Sequence, residues 1–490
     1  MLKNPLSRAE TVVDRSGVAG RIEDLLPKMG RPRQLTVRTL LIGVLLVIAD
    51  DRACHLTRVH EALVSLSDSD RRRLGVTTGR HLLTYRQVEH TFFVVKLALS
   101  KEHPDGSPSV VLQEVVDRLV EASIADCYKD GSRSLAVDWS DHESFSCPPV
   151  SDGGKCADPE ATWGHRKGGP GKAELFFGYY FSAATMVREE AGARVPELVR
   201  RTMLSSCRID AAAAFCGVLE ALPEGGVALG DILVDSGYAH RRAENFALPL
   251  RRLGAQLVMD LHPHDRGPRG TYKGAIRSNG SLYCPSTPVV LLGLGPLSRS
   301  ATKAEVTFHD EQTAELEHYR FSPITAKDDD GFFRVSCPAA GGKVRCPAKP
   351  SSMLLSYDRP EVMTAPSDLP ACCAQKTITV SPEVNAKTAQ KHPYPSAAHR
   401  ASFSRRTAVE RSYSTLKDPA STDTTRGVMG LAAITVLLAC AVVVRNMRVT
   451  DSFEKRERFD TERRANGLSP KPRRRRRRTI DDLLVTSSRV

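Results

Sequence analysis

Ser134-Leu-Ala-Val-Asp138 and Asp231-Ile-Leu-Val-Asp235 decide the fold. Each is a short apolar run closed by a carboxylate, the pattern of a buried strand ending where a sheet gives way to a loop. Between them, Glu174 to Val187 strings together Leu, Phe, Phe, Tyr, Tyr and Phe and suits a central strand. Asp210 to Leu222 is alanine-rich and predicts a helix, closed by Pro223 and the Gly225-Gly226 turn. Arg241 to Leu253 predicts a second helix ended by Gly254, and Gln256-Leu-Val-Met-Asp260 a further strand. Strand, strand, helix, strand, helix, strand implies an α/β layer.

Outward from that layer the pattern changes on both sides. Residues 1–130 read as a helical N-terminal domain, with an apolar run from Leu35 to Ile48 and helical spacing from Leu82 to Leu99. Such a domain is expected either to bind DNA or another subunit, or simply to pack. From 262 to 400 helical periodicity is lost and Pro, Gly and Cys recur, which predicts a β-rich or irregular, Cys-containing insertion. Helical signal returns from Ser404 through Lys417, followed by the uncharged stretch Gly427 to Val444. Residues 451–490 read as a basic, disordered tail carrying six consecutive arginines, Arg473 to Arg478. The sequence holds no internal repeat.

The 490 residues carry a formal net charge of +13. Arg445 to Arg478 holds 14 Lys or Arg against 5 Asp or Glu, so most of the excess lies near the C-terminus, where it would attract phosphate without reading sequence. Twelve cysteines in this length are too dilute for a disulfide scaffold, and the N-terminus shows no apolar signal run. A reducing, cytoplasmic setting is expected. The 427–444 stretch sits at the lower limit for a membrane span and reads equally well as a buried core helix.

Two strand-end aspartates alone are ordinary turn or cap residues. The third element is the helix Phe403-Ser-Arg-Arg406-Thr-Ala-Val-Glu410-Arg-Ser-Tyr-Ser-Thr-Leu-Lys417. Arg406 and Glu410 share one face at four residues, and Glu410 and Lys417 at two turns. Taken alone this is a surface ion-pair stripe. The series Arg406-x3-Glu410-x6-Lys417, however, resembles the Tyr-x2-Arg-x3-Glu-x6-Lys signature of insertion-sequence transposases of the Asp-Asp-Glu class. Phe403 stands where that signature has tyrosine. Asp235-Ser-Gly237-Tyr238 looks like the second-aspartate motif of the same group, and Asp138 like its first aspartate. The resemblance covers roughly residues 130–450.

The resemblance implies a ribonuclease-H-like catalytic core over 131–261 and 401–450. In it, Asp138, Asp235 and Glu410 would be both the catalytic residues and the ligands of Mg²⁺ or Mn²⁺. Three hard oxygen donors suit those ions, and a two-ion site suits in-line displacement at phosphorus. Asp138 would bridge both ions, and Asp235 and Glu410 would each hold one. Arg406, Lys417 and Arg411 would contact DNA phosphates. The implied partners are double-stranded DNA, as element ends and target, and a second copy of the chain in a homodimer or higher multimer. A bacterial, nucleoid-associated location would follow. The missing hydroxyl at Phe403 removes any phosphate contact made by the signature tyrosine.

Asp141, His142 and Glu143, and Asp260 with His262, His264 and Asp265, lie close to these motifs and read as turn residues or supporting partners. His264 and Asp265 could also meet the DNA backbone. Cys284, Cys337, Cys346, Cys372 and Cys373 all fall within the insertion and resemble a cysteine-bearing insertion of some transposases. Paired knuckles of the zinc-site kind are missing, so free reduced thiols are the expectation, with a structural Zn²⁺ as the alternative. Three other functions fit parts of the sequence: a nuclease that cuts without joining, an inactive DNA-binding remnant, and a membrane-anchored protein with a basic tail.

Overall fold

The computed structural model describes residues 4–28, 33–78, 81–100, 105–150, 154–167, 173–222, 228–298, 300–362, 369–416 and 428–470. The N-terminal region is built mainly from helices α1 (Pro5–Ser16), α2 (Val37–Ala49), α3 (Tyr85–Leu99) and α4 (Val110–Ala122). Thr36 and Ser109 cap α2 and α4, each accepting a hydrogen bond from an amide three residues on.

A six-stranded mixed sheet follows: β1 (Ser134–Glu143), β2 (Thr162–Lys167), β3 (Ala173–Val187), β4 (Val199–Ser206), β5 (Asp231–Val234) and β6 (Gln256–Met259). β3 lies antiparallel to β1, while β5 pairs parallel with both β1 and β6. The far edge of β3 is shared: its first half pairs with β2 and its second half with β4. The changeover falls at Gly178, where a Cβ would come within 2.1 Å of the His142 carbonyl oxygen. Only glycine fits there. The chain is therefore an α/β protein. The two strands hidden from the sequence pattern, β2 and β4, both pair with β3.

Strand alternation sorts the sheet residues between two cores. Leu135, Val137, Ile232, Val234, Leu257 and Met259 enter one core with helices α5 (Ala211–Glu220) and α6 (Ala247–Arg252). Ala136, Leu233 and Val258 enter the opposite core, shared with the N-terminal helices. The helix expected from Arg241 to Leu253 is broken instead into a 3₁₀ turn at Ala243–Asn245 and α6. Gly254, at φ +81°, ends it.

The 262–400 region is not uniformly β-rich or irregular. It holds two three-stranded sheets of short strands and a 16-residue helix, α7 (Lys303–His318). Thr302 and Glu305 form a capping box at its start. α7 buries little besides His309, Thr313 and Leu316, so no apolar stripe announced it.

After a short helix α8 (Ala397–Phe403) and a 3₁₀ turn at Ser404–Arg406 comes α9 (Thr407–Leu416), then α10 (Leu431–Ala465). The apolar half of α10 is 83% buried. It lies against α2, α4 and β4. Burial of this kind accounts for the uncharged run, each enclosed Val or Leu contributing ~1.5–3 kcal/mol. Asn446 fixes the helix to the sheet edge: its side chain accepts from the Val199 amide and donates to the Val199 carbonyl, each at 2.9 Å. α10 also corrects the expected tail. Residues 451–465 are helical, with no Gly or Pro until Gly467, and the buried Asp460 carboxylate is held by Arg456 at 2.9 Å. The arginines at 473–478 lie outside the described residues.

Candidate active site

β1 and β5 pair in a fixed register, Leu135 with Ile232 and Ala136 with Leu233. Carried two residues on, that offset sets Asp138 level with Asp235 on the neighbouring strand. Strand alternation also puts Asp138 on the same face as Ala136, the face that α9 covers through Ala408, Val409, Tyr413 and Leu416. Contrary to the sequence reading, Asp138 does not end its strand. β1 runs on to Glu143 against β3, and it is β5 that stops beside Asp138.

Asp235 closes β5 and caps the next turn, accepting from the amides of Gly237 at 2.9 Å and Tyr238 at 3.4 Å. At Gly237 a Cβ would sit 3.0 Å from the Trp139 ring and 3.1 Å from Asp235 Oδ1, so a side chain there would push one of them aside. Tyr238 is buried, with its ring centroid 4.3 Å from that of Trp139 and 5.1 Å from that of Phe246. These aromatics fix the turn that aims Asp235.

α9 supplies the third carboxylate. Tyr413, one turn beyond Glu410, donates to the backbone carbonyls of Asp138 at 2.7 Å and Phe181 at 2.9 Å, which locks the helix onto β1 and β3. Ser412 meets Thr185 at 2.9 Å. Arg406, from the preceding 3₁₀ turn, donates to Asp138 Oδ2 at 2.9 Å and also to Glu410. Its guanidinium carbon lies 5.6 Å from the centroid of the Phe403 ring. Phe403 thus orients the arginine through its face, a contact that needs no hydroxyl.

The site is electrostatically loaded. Burial, then the nearby Asp235 charge, pushes Asp138 up to about 6, and Arg406 only partly offsets this. Asp138 and Glu410 share one arginine, but the oxygens of Asp138, Asp235 and Glu410 do not all come within 4.8 Å of one another, so the structure draws the three predicted ligands toward one region without closing them into a tight group. Glu410 remains half exposed, with an open side toward solvent.

The remaining sequence-level candidates scatter. Arg411 makes a bidentate pair with Glu197 at 2.8 and 2.6 Å and does not join the carboxylates. Lys417 lies outside the described residues. Arg166 bridges Asp141 and Glu143. Asp260 accepts from Tyr394 at 2.9 Å and Arg266 at 3.2 Å, a supporting role.

One grouping was missed. Among the described residues, His240, His262 and Asp265 bring their ligand atoms within 4.8 Å of one another. His264 stacks next to His262, with ring centroids 5.0 Å apart, and Lys387 Nζ is 2.6 Å from Asp265. Burial and the neighbouring His240 and His264 lower the His262 pKa. The trio gathers at the ends of β5 and β6, from positions with no sequence spacing in common.

No family model matches the chain, and no curated protein is similar to it.

Proposed function

We propose that this chain is a DNA transposase of the Asp-Asp-Glu class, with a ribonuclease-H-like core in which Asp138, Asp235 and Glu410 hold Mg²⁺ or Mn²⁺. The observation that carries the reading is the convergence of Asp138 and Glu410 on Arg406, with Asp235 level with Asp138 on the adjacent strand. Asp138 and Asp235 lie side by side at one end of the sheet and Glu410 comes from the helix that covers it, in the chain order of the transposase signature.

Bound there, a divalent pair would supply an activated water or 3′-hydroxyl and charge neutralisation at the leaving oxygen. The protein's own residues do the rest. Asp138 is held by strand pairing and Asp235 by the Gly237 and Tyr238 amides, so little reorganisation is needed at the reacting phosphate. Arg406, paired with both Asp138 and Glu410, is the guanidinium placed to contact a DNA phosphate beside these carboxylates. The partner is double-stranded DNA, cut at the element's ends and joined to a target, by a chain working as a dimer or higher multimer.

The test is Asp138→Ala, Asp235→Ala and Glu410→Ala, each assayed for Mg²⁺-dependent cleavage and joining of DNA flanking the gene. Each should lose about a hundredfold or more. Full activity in any one removes that residue from the ligand set. Cut ends without joined product would identify a nuclease.

A further inference from the structure

Four cysteines in the 262–400 region surround one small cavity. Cys284, Cys337, Cys346 and Cys373, with Ala339, Val344, Ala348 and Lys349, line a space of about 10 Å³, room for one water-sized particle or a single ion. They arrive on separate segments: Cys284 after the strand Ser281–Tyr283, Cys337 after Phe333–Ser336, Cys346 from a turn, and Cys373 from the short helix Ala371–Ala374. All four are buried and none is in a disulfide.

Two of these segments are built alike. Cys284-Pro-Ser-Thr287 and Cys346-Pro-Ala-Lys349 are tight turns, closed by the Thr287 amide donating to the Cys284 carbonyl at 3.0 Å and the Lys349 amide to the Cys346 carbonyl at 2.9 Å. Proline at the second position presets such a turn and has no N–H of its own. Burial raises both thiols, and the amide two residues on, Ser286 for Cys284 and Ala348 for Cys346, acts against that rise. Without a metal the buried thiols stay protonated, and each turn offers an amide that can support the sulfur once it is a metal-bound thiolate.

We propose that Cys284, Cys337, Cys346 and Cys373 form a tetrathiolate site for Zn²⁺ that staples this region together. Soft sulfur donors select zinc over the hard cations suited to Asp138. The four sulfurs surround the cavity more loosely than a bound ion holds its ligands, and binding draws them inward, releasing the thiol protons. Lys349, on the rim, offsets the net negative charge of four thiolates around one dication. The need is evident in the packing. This region's core is small and contains five cysteines, Cys372 among them. Its strands are two to five residues long. A metal joining four segments supplies what so few apolar side chains cannot.

The experiment measures metal in the purified full chain by mass spectrometry, alongside cobalt substitution. The expected result is about one zinc per chain, and a cobalt form with an intense thiolate charge-transfer band in the near ultraviolet. Cys284→Ser with Cys346→Ser should remove the zinc, Cys373→Ser should weaken it, and Cys372→Ser should leave it bound. Zinc below about 0.2 per chain together with no thiolate–cobalt band would overturn the site, and this needs no variant to fold. Zinc that survives the Cys284 and Cys346 changes but is lost with His240→Ala and His262→Ala would also overturn it, moving the metal to the histidine trio. Loss in Cys372→Ser with retention in Cys373→Ser would refute the fourth ligand.

Discussion

Arg406 donates to Asp138 at 2.9 Å across 268 positions of sequence, while its second terminal nitrogen reaches Glu410 one turn further along the chain. A single cation thereby ties the sheet to the helix that covers it. Its neighbour Arg405 turns the other way, to the buried Asp231 at 2.7 Å and the Arg188 carbonyl at 3.0 Å. Adjacent arginines thus divide the work, one toward the carboxylates and one into the frame.

The two should separate on substitution. Arg405→Ala strands the buried Asp231 with Lys391 as its remaining partner and should lower stability by about 3 kcal/mol. Arg406→Ala should cost far less stability and abolish strand cleavage. Urea unfolding alongside a nicking assay checks both, and equal stability losses would contradict the division.

Asp138 should make the metal-free protein less stable at neutral pH. Its folded-state pKa is raised to about 6 from 3.8, so the charged form is disfavoured and stability declines as pH rises through that interval. Asp138→Asn should therefore stabilise the protein at pH 7.5 in chelator by about 2 kcal/mol, with the gain vanishing below pH 4. Unfolding curves at the two pH values decide it; a gain of the same size at both would count against the charge argument.

Mg²⁺ affinity should rise with pH until Asp138 is ionised, by up to about tenfold per unit below pH 6, and flatten above it. Titration calorimetry in two buffers of different ionisation heat should detect proton release at pH 5.5 and almost none at pH 8. Proton release unchanged between those values would place the titrating group elsewhere.

Gly237→Ala should misplace Asp235 without unfolding the protein. The new methyl would meet Trp139 at 3.0 Å and the carboxylate itself at 3.1 Å. Cleavage should fall about tenfold or more while Tm drops by only a few degrees. A variant with wild-type cleavage would show that the Asp235 turn tolerates displacement.

What could be read from the sequence was whatever local periodicity encodes. β1, β5 and β6 stood out because buried strands are short and apolar, and Asp210 capped α5 where a capping residue belongs. β4 escaped because its Val199-Arg-Arg-Thr start reads as polar, yet Arg201 is buried against Glu121 at 2.8 Å. After 450 a high charge content mimics disorder, yet ion pairs such as Arg456 with Asp460 carry the helix on to Ala465. The cysteines of the insertion and His262 with Asp265 stand out in the sequence, but which of them converge, and that His240 joins the histidines, does not. The convergence is made by tertiary folding, and the spacings of Cys284, Cys337 and Cys346 do not record it.

The chain leaves the sheet just past β6 and comes back to the same strand. The Lys391 amide donates to the Leu257 carbonyl at 2.9 Å, Gln390 accepts from the Met259 amide at 2.7 Å, and Tyr394 reaches Asp260. Exit and return share one doorway, so the long excursion between them is an appendix to the sheet, and no strand is threaded through it. Its length and content can change without any strand changing neighbours. Evolution can therefore remodel this lobe freely while the acidic face stays untouched.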